Sequence, residues 1–181
     1  MIDVPNKIGT DLVSGKTVMD AHRQKTISIL FFSSFAYLGN GGQESLLQLV
    51  SRLDRSIFNP QVIVPETGSL ADRLLEESID VHVLNLPKFS PANMGTIVKV
   101  QKRLLSIIER KGIDILHTDG PRNTFYAGIV AKIKNIALIW HVRVSNQDRY
   151  DRILTKLSSR IILVADALRA RFKINNTFWI S

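Results

Sequence analysis

The chain has 181 residues, 45% of them hydrophobic and 22% charged, with 24 Lys and Arg against 16 Asp and Glu, a net charge of +8 and no cysteine. A single domain of this length buries roughly 70% of its unfolded surface, and the ordinary apolar share excludes disordered and collagen-like classes. Without cysteine there is no disulfide scaffold, thiolate metal site or cysteine nucleophile. The longest apolar runs, such as 27–32 and 136–140, fall far short of the ~20 residues a spanning helix needs. No basic-then-apolar signal opens the sequence. The expectation is a soluble, cytoplasmic domain whose positive charge suits an anionic partner: nucleic acid, a lipid head group or a phosphorylated substrate.

Residues 1–25 are polar and show neither helical nor strand periodicity, which reads as a loosely ordered leader. Gly9 and Gly15-Lys16-Thr17 imitate a phosphate-binding loop, but five residues separate the glycines instead of four, and no apolar strand precedes them. From Thr26 onward short apolar runs alternate with stretches of period 3.6, the pattern of β-α-β units. Strands are expected at 27–33, 61–65, 80–85, 113–118, 137–142 and 160–165, with a seventh at 176–180. Helices are expected at 42–54, 69–78, 92–111, 121–134, 150–157 and 166–173. Ser69 with Asp72 resembles a capping box, Pro121 after Gly120 suits a first helical turn, Gly112 ends the third helix and Asp166 caps the last.

In the third helix Ile97, Val100, Leu104, Ile107 and Ile108 form one apolar stripe. Lys99, Lys102, Arg103, Arg110 and Lys111 lie outside it, and Lys156, Arg160, Arg169, Arg171 and Lys173 form a second basic group. Right-handed crossovers then give an α/β fold: a doubly wound, mostly parallel Rossmann-like sheet with helices on both faces and strand order 3-2-1-4-5-6. Ligands in such folds sit beyond the carboxyl ends of the strands, at the switch point between strands one and four.

Three loops reach that edge. The loop after strand one carries Gly39, Gly41 and Gly42, which let the backbone turn tightly and offer helix N–H groups to an anion. It is not the dinucleotide fingerprint, because Glu44 stands where the third glycine belongs, and the only acid near the end of strand two is Glu66, behind Pro65. The loop after strand four brings His117, Asp119, Arg122 and Asn123; the loop after strand five brings His141, Arg143 and Asn146. Histidine exchanges protons near neutral pH and arginine forks onto phosphate or carboxylate, so the three loops suit an anionic or polyhydroxylated ligand. Each histidine also has a plainer reading as a ring satisfied by backbone beneath its loop. A response regulator is excluded by the lack of a carboxylate in 33–40. No recognised module or aromatic-basic interleave marks nucleic acid as the partner.

The glycine loop with 41-GGQESLLQLVSRL-53, then 113-IDILHTDGPRNTFYAGIVAKIKN-135, 138-LIWHVR-143 and 161-IILVADALRARF-172, resembles the N-terminal domain of family 4 (group 1) glycosyltransferases. The resemblance covers most of residues 26–181 and implies one half of a GT-B fold, two Rossmann-like domains facing a cleft. It implies retaining transfer of a sugar from a nucleotide-sugar donor to a carbohydrate or lipid-linked acceptor, such as a cell-envelope glycan, with no cofactor and no obligatory metal. Gly41 and Gly42 would meet the donor diphosphate and His141 the transferred sugar, as the catalytic residue. His117, Asp119, Arg122, Asn123 and Arg143 would contact acceptor or substrate; Asp119 departs from the second histidine that relatives often carry there. The C-terminal donor-binding domain is absent from this sequence, so the chain alone is expected to be inactive. Peripheral placement at an anionic inner membrane face is a further expectation. The rival reading is a non-catalytic α/β module that binds an anionic or sugar-phosphate ligand.

Overall fold

The computed structural model describes residues 25–172; the polar leader, the phosphate-loop imitation and the seventh strand expected from the sequence lie outside the described residues. Six strands follow in chain order, β1 (Ile27–Phe32), β2 (Phe58–Val64), β3 (Asp80–Val83), β4 (Ile115–Thr118), β5 (Ala137–Val142) and β6 (Arg160–Leu163). The helices between them are α1 (Gly41–Ser51), α2 (Ser69–Glu76), α3 (Met94–Lys111), α4 (Pro121–Lys134) and α5 (Asp151–Leu157). Every pairing is parallel and the order is β3-β2-β1-β4-β5-β6. The doubly wound order read from the sequence is therefore the observed one, and β1 and β4 lie side by side at its centre.

The pleat sends alternate residues to opposite faces. Leu30, Phe32, Leu116 and Leu138 meet Leu104, Ile108 and Val130 in one apolar layer. Ile29, Phe31, Val62 and Val64 meet Leu46, Val50, Leu70 and Leu74 in the other. A third cluster closes the β5–β6 edge around Trp140, Leu154 and Leu163. Ile97, Leu104, Ile107 and Ile108 of the α3 stripe are buried and Val100 is half-buried beside them, and Gly112 caps that helix in the left-handed conformation at φ 59.

Four local expectations need correction. Strand β2 begins at Phe58, ahead of Gln61, and runs through Pro60. That proline precedes the stretch where β3 pairs, Gln61 to Val64, so its missing N–H falls where only β1 lies alongside. Ser69 is already helical and Gly68 holds the cap position, so no capping box forms. The Ser69 hydroxyl instead accepts the Leu38 N–H at 2.9 Å, tying the loop after β1 to α2. The last element is a 3₁₀ turn, Asp166–Arg171, capped by Ala165, with Asp166 paired to Arg169 at 3.4 Å. Its buried residues, Leu168 and Arg171, are three apart, the period of a 3₁₀ turn. Arg171 thus leaves the basic surface group: it is 7% exposed and grips Asp151 through two bonds of 2.8 and 2.6 Å.

Candidate functional site

Register sets the site. Phe31 on β1 pairs with His117 on β4, and His117 with Ile139 on β5, so His141 stands one pleat further along the same face. The His117 ring lies 4.9 Å from Phe31 and 5.5 Å from the His141 ring, edge to face with the latter. His117 is buried, while His141 is half-buried at the carboxyl end of its strand. Burial holds both rings well below the usual imidazole range, His117 at about 3 and His141 at about 4, with the Arg143 cation adding to each shift. Both are neutral at pH 7. Arg143 Nη2 reaches His141 Nδ1 at 3.5 Å; since arginine only donates, Nδ1 accepts and the ring proton belongs on Nε2.

Arg143 itself is only partly satisfied. Its Nε is buried with no hydrogen-bond partner among the described residues, and burial lowers its pKa while Asp119 opposes that shift. The guanidinium therefore keeps a donor that no acceptor among the described residues satisfies, a group chemically suited to pairing with an anion.

Asp119 and Asn123 are bonded to each other and to the loop after β1. Asp119 accepts from Ser34 Oγ at 2.9 Å and Ser34 N–H at 3.3 Å, and Asn123 Nδ2 donates to Asp119 Oδ1 at 2.9 Å and to Ser34 Oγ at 3.1 Å. Burial raises the Asp119 carboxyl pKa, and those bonds with nearby Arg143 work in the opposite direction. The trio staples the β1 loop to the start of α4. Gly120 makes the staple possible, since a Cβ there would sit 2.8 Å from Ser34 Oγ. Ser34 escaped the sequence reading because a lone serine carries no periodic or spacing signal.

Gly41 and Gly42 open α1, and their N–H groups are the first two that helix geometry leaves without intrahelical acceptors. Of the three glycines in this loop, Gly39 makes the tight turn, at φ 109. A Cβ at Gly41 or Gly42 would meet nothing within 4 Å, so packing within the chain does not require glycine at either. Gln43, in the same first turn, is 2% exposed and leaves Oε1 without a partner among the described residues. Glu44 is also in this turn, so an anion there is drawn by N–H groups and opposed by one carboxylate. Arg122 stays exposed between two cavities. One, of about 280 Å³, lies over the ends of β1 and β2 and is lined by Ser33, Ser34, Asn85 and Asn123 among others. The structure thus joins His117, His141 and Arg143 in one group and Ser34, Asp119 and Asn123 in another, with Arg122 lining the same cavity as Ser34 and Asn123.

A six-stranded parallel sheet of this order, with its polar loops gathered at the carboxyl edge of β1, β4 and β5, is a Rossmann-like half of a GT-B fold. The chain belongs to Glycosyltransferase Family 4, whose model matches residues 39–174. No curated protein sequence matches it. Among solved structures it is similar to a glycosyltransferase from Rickettsia africae, at TM-score 0.65 and 20% identity over 81% of this chain and 39% of that one. It is similar also to MurG of Acinetobacter baumannii, at TM-score 0.60 and 13% identity over 86% and 43%. A third is Anabaena HepE in complex with UDP-glucose, at TM-score 0.62 and 15% identity over 81% and 40%. The chain spans about four tenths of the length of each.

Proposed function

We propose that the chain is the acceptor-side half of a retaining glycosyltransferase that moves a sugar from a nucleotide-sugar to a carbohydrate or lipid-linked acceptor. The observation that carries this reading is Arg143: a half-buried cation with an unused donor, beside a neutral His141, at the carboxyl end of β5 in a Family 4 domain. In the reaction the bond from the sugar's anomeric carbon to the diphosphate breaks and a bond to the acceptor oxygen forms. The acceptor's proton leaves with the diphosphate. Gly41 and Gly42 offer N–H groups to the diphosphate, Arg143 adds a fixed positive charge, and His141 Nε2–H donates to the sugar. These groups stand in for the charge a metal would neutralise, so no resident metal is part of the proposal. His117 and the Ser34–Asp119–Asn123 staple position the loops, and Arg122 reaches toward the acceptor. Association with an anionic membrane face through the exposed lysines and arginines of α3 belongs to the same proposal.

A second Rossmann-like domain completes the site in this reading, and 26–181 is the acceptor-side unit. Phe35, Tyr37 and Val144, all 56–58% exposed on the loops at the carboxyl edge, suit such a neighbour. Turnover against a panel of nucleotide-sugars with mixed acceptors tests this. The 181-residue chain alone should transfer nothing, and robust turnover by it overturns the half-enzyme reading. In the assembled two-domain protein His141→Ala should cut turnover roughly a hundredfold at unchanged Tm. A loss of Tm with no selective loss of turnover would show a packing ring instead.

A further inference from the structure

Beside the cavity over β1 and β2 lies a second, of about 600 Å³, between the segment after β3, the first turns of α4 and the start of α5. Its volume is that of a small-molecule site. Phe89 and Phe125 form one wall edge to face, with ring centroids 5.1 Å apart. Tyr150 and Ile153, from the start of α5, also line it, with the fully buried Leu154. Phe89 and Ile153 are 56% and 49% exposed, an apolar lining open to solvent. Isolated exposed apolar residues are ordinary, but these share one concavity.

The rim has a different character. Lys88, Arg122 and Arg149 ring the cavity against one carboxylate, Asp148, whose Oδ1 already accepts the Tyr150 N–H at 2.9 Å. Arg149 lies over the Tyr150 ring, 4.7 Å from its centroid. None of the three cations forms an ion pair among the described residues. Pro121 and Arg122 line both this cavity and the smaller one over β1 and β2.

We infer that this cavity holds the acceptor, and that the acceptor is an amphipathic phosphate, its single apolar chain between Phe125 and Ile153 and its phosphate among Lys88, Arg122 and Arg149. The inference rests on the glycosyl-transfer reading and names the acceptor class within it. An apolar chain gains by leaving water for the aromatic walls, and a phosphate finds charge-assisted donors only at the rim. A head group held at Arg122 stands on the boundary between the two cavities, next to the one over the ends of β1 and β2.

Decyl phosphate below its micelle concentration is the probe, titrated calorimetrically into the 181-residue chain. Saturable one-to-one binding is expected, with decanol and inorganic phosphate each at least tenfold weaker. Replacing Lys88→Gln and Arg122→Gln together, or Ile153→Ser, should weaken it about tenfold. Lys132→Gln, removing the same charge at the far end of α4, should not. Equal binding of decanol, equal binding of phosphate, or indifference to the cavity substitutions overturns the inference. So does binding to phosphatidylglycerol vesicles without binding of decyl phosphate, which would make the occupant a bilayer surface. A chain that fails here loses only the acceptor class. A chain that binds decyl phosphate while the two-domain protein turns over no nucleotide-sugar loses the transfer reading and keeps the pocket.

Discussion

His82, His117 and His141 all have pKa values lowered chiefly by burial, the latter two to about 3 and about 4 from an ordinary 6.5. Above that ordinary value the rings are neutral in both folded and unfolded chains, and stability is indifferent to pH. As pH falls below it, the unfolded chain takes up protons that the folded chain refuses, so stability is lost. The loss continues to about pH 4 for His141 and about pH 3 for His117, where the folded chain protonates as well. Asp119 acts in the opposite sense, because its raised carboxyl pKa lets the folded chain bind a proton first. The large shifts of His117 and His141 set the direction of the pH dependence. Urea unfolding should give a flat stability from pH 8 to 7 and a steady fall below about 6.5, and His141→Gln should reduce that slope by one proton's worth. A profile flat from pH 7 to 5 would mean that the rings are solvated.

At the scale of elements, the clamp between α5 and the last 3₁₀ turn is the feature least visible in the sequence. Arg171 and Asp151 have side chains 2% and 13% exposed, and Arg171 also donates to the Val144 carbonyl at 2.8 Å and stacks over Trp140 at 5.4 Å. Removing one partner leaves a buried charge, so Arg171→Ala should cost about 3–5 kcal/mol, while Arg171→Met with Asp151→Leu should recover most of it. Chemical denaturation of the three chains checks this, and a single substitution costing under about 1 kcal/mol would contradict it. Arg171 read as surface because a run such as 169-RAR-171 shows its charge and conceals a partner twenty residues away. The strands and their order were legible, because in a parallel sheet apolar runs and right-handed crossovers leave little choice. The start of β2 was not, since Pro60 mimics a strand end and only the short reach of β3 shows why it is tolerated. Candidate residues were legible by loop and illegible by role. The sequence places Asp119, Asn123 and His117 at the right edge, and only the fold shows that the first two bond Ser34 and the third lies under His141.

At the scale of the whole molecule, the described residues form one doubly wound sheet whose polar loops gather at the carboxyl ends of β1, β4 and β5. Neighbouring strands lie ~4.8 Å apart, so the ends of β1 and β5 are roughly 10 Å from each other, a span that a diphosphate and one sugar can bridge. No helix among the described residues is long and apolar enough to cross a membrane, and the exposed basic face of α3 adds a long-range attraction for anionic ligands. In the proposed donor site a nucleoside diphosphate binds with its phosphates on the α1 amino end and Arg143. The isotope-labelled chain can be titrated with UDP, GDP and ADP into the millimolar range while amide resonances are followed. At least one of the three should move the Gly41 and Gly42 amides together with the His141 ring, and Arg143→Ala should abolish the response; glycine amides unmoved by all three nucleotides would rule the site out.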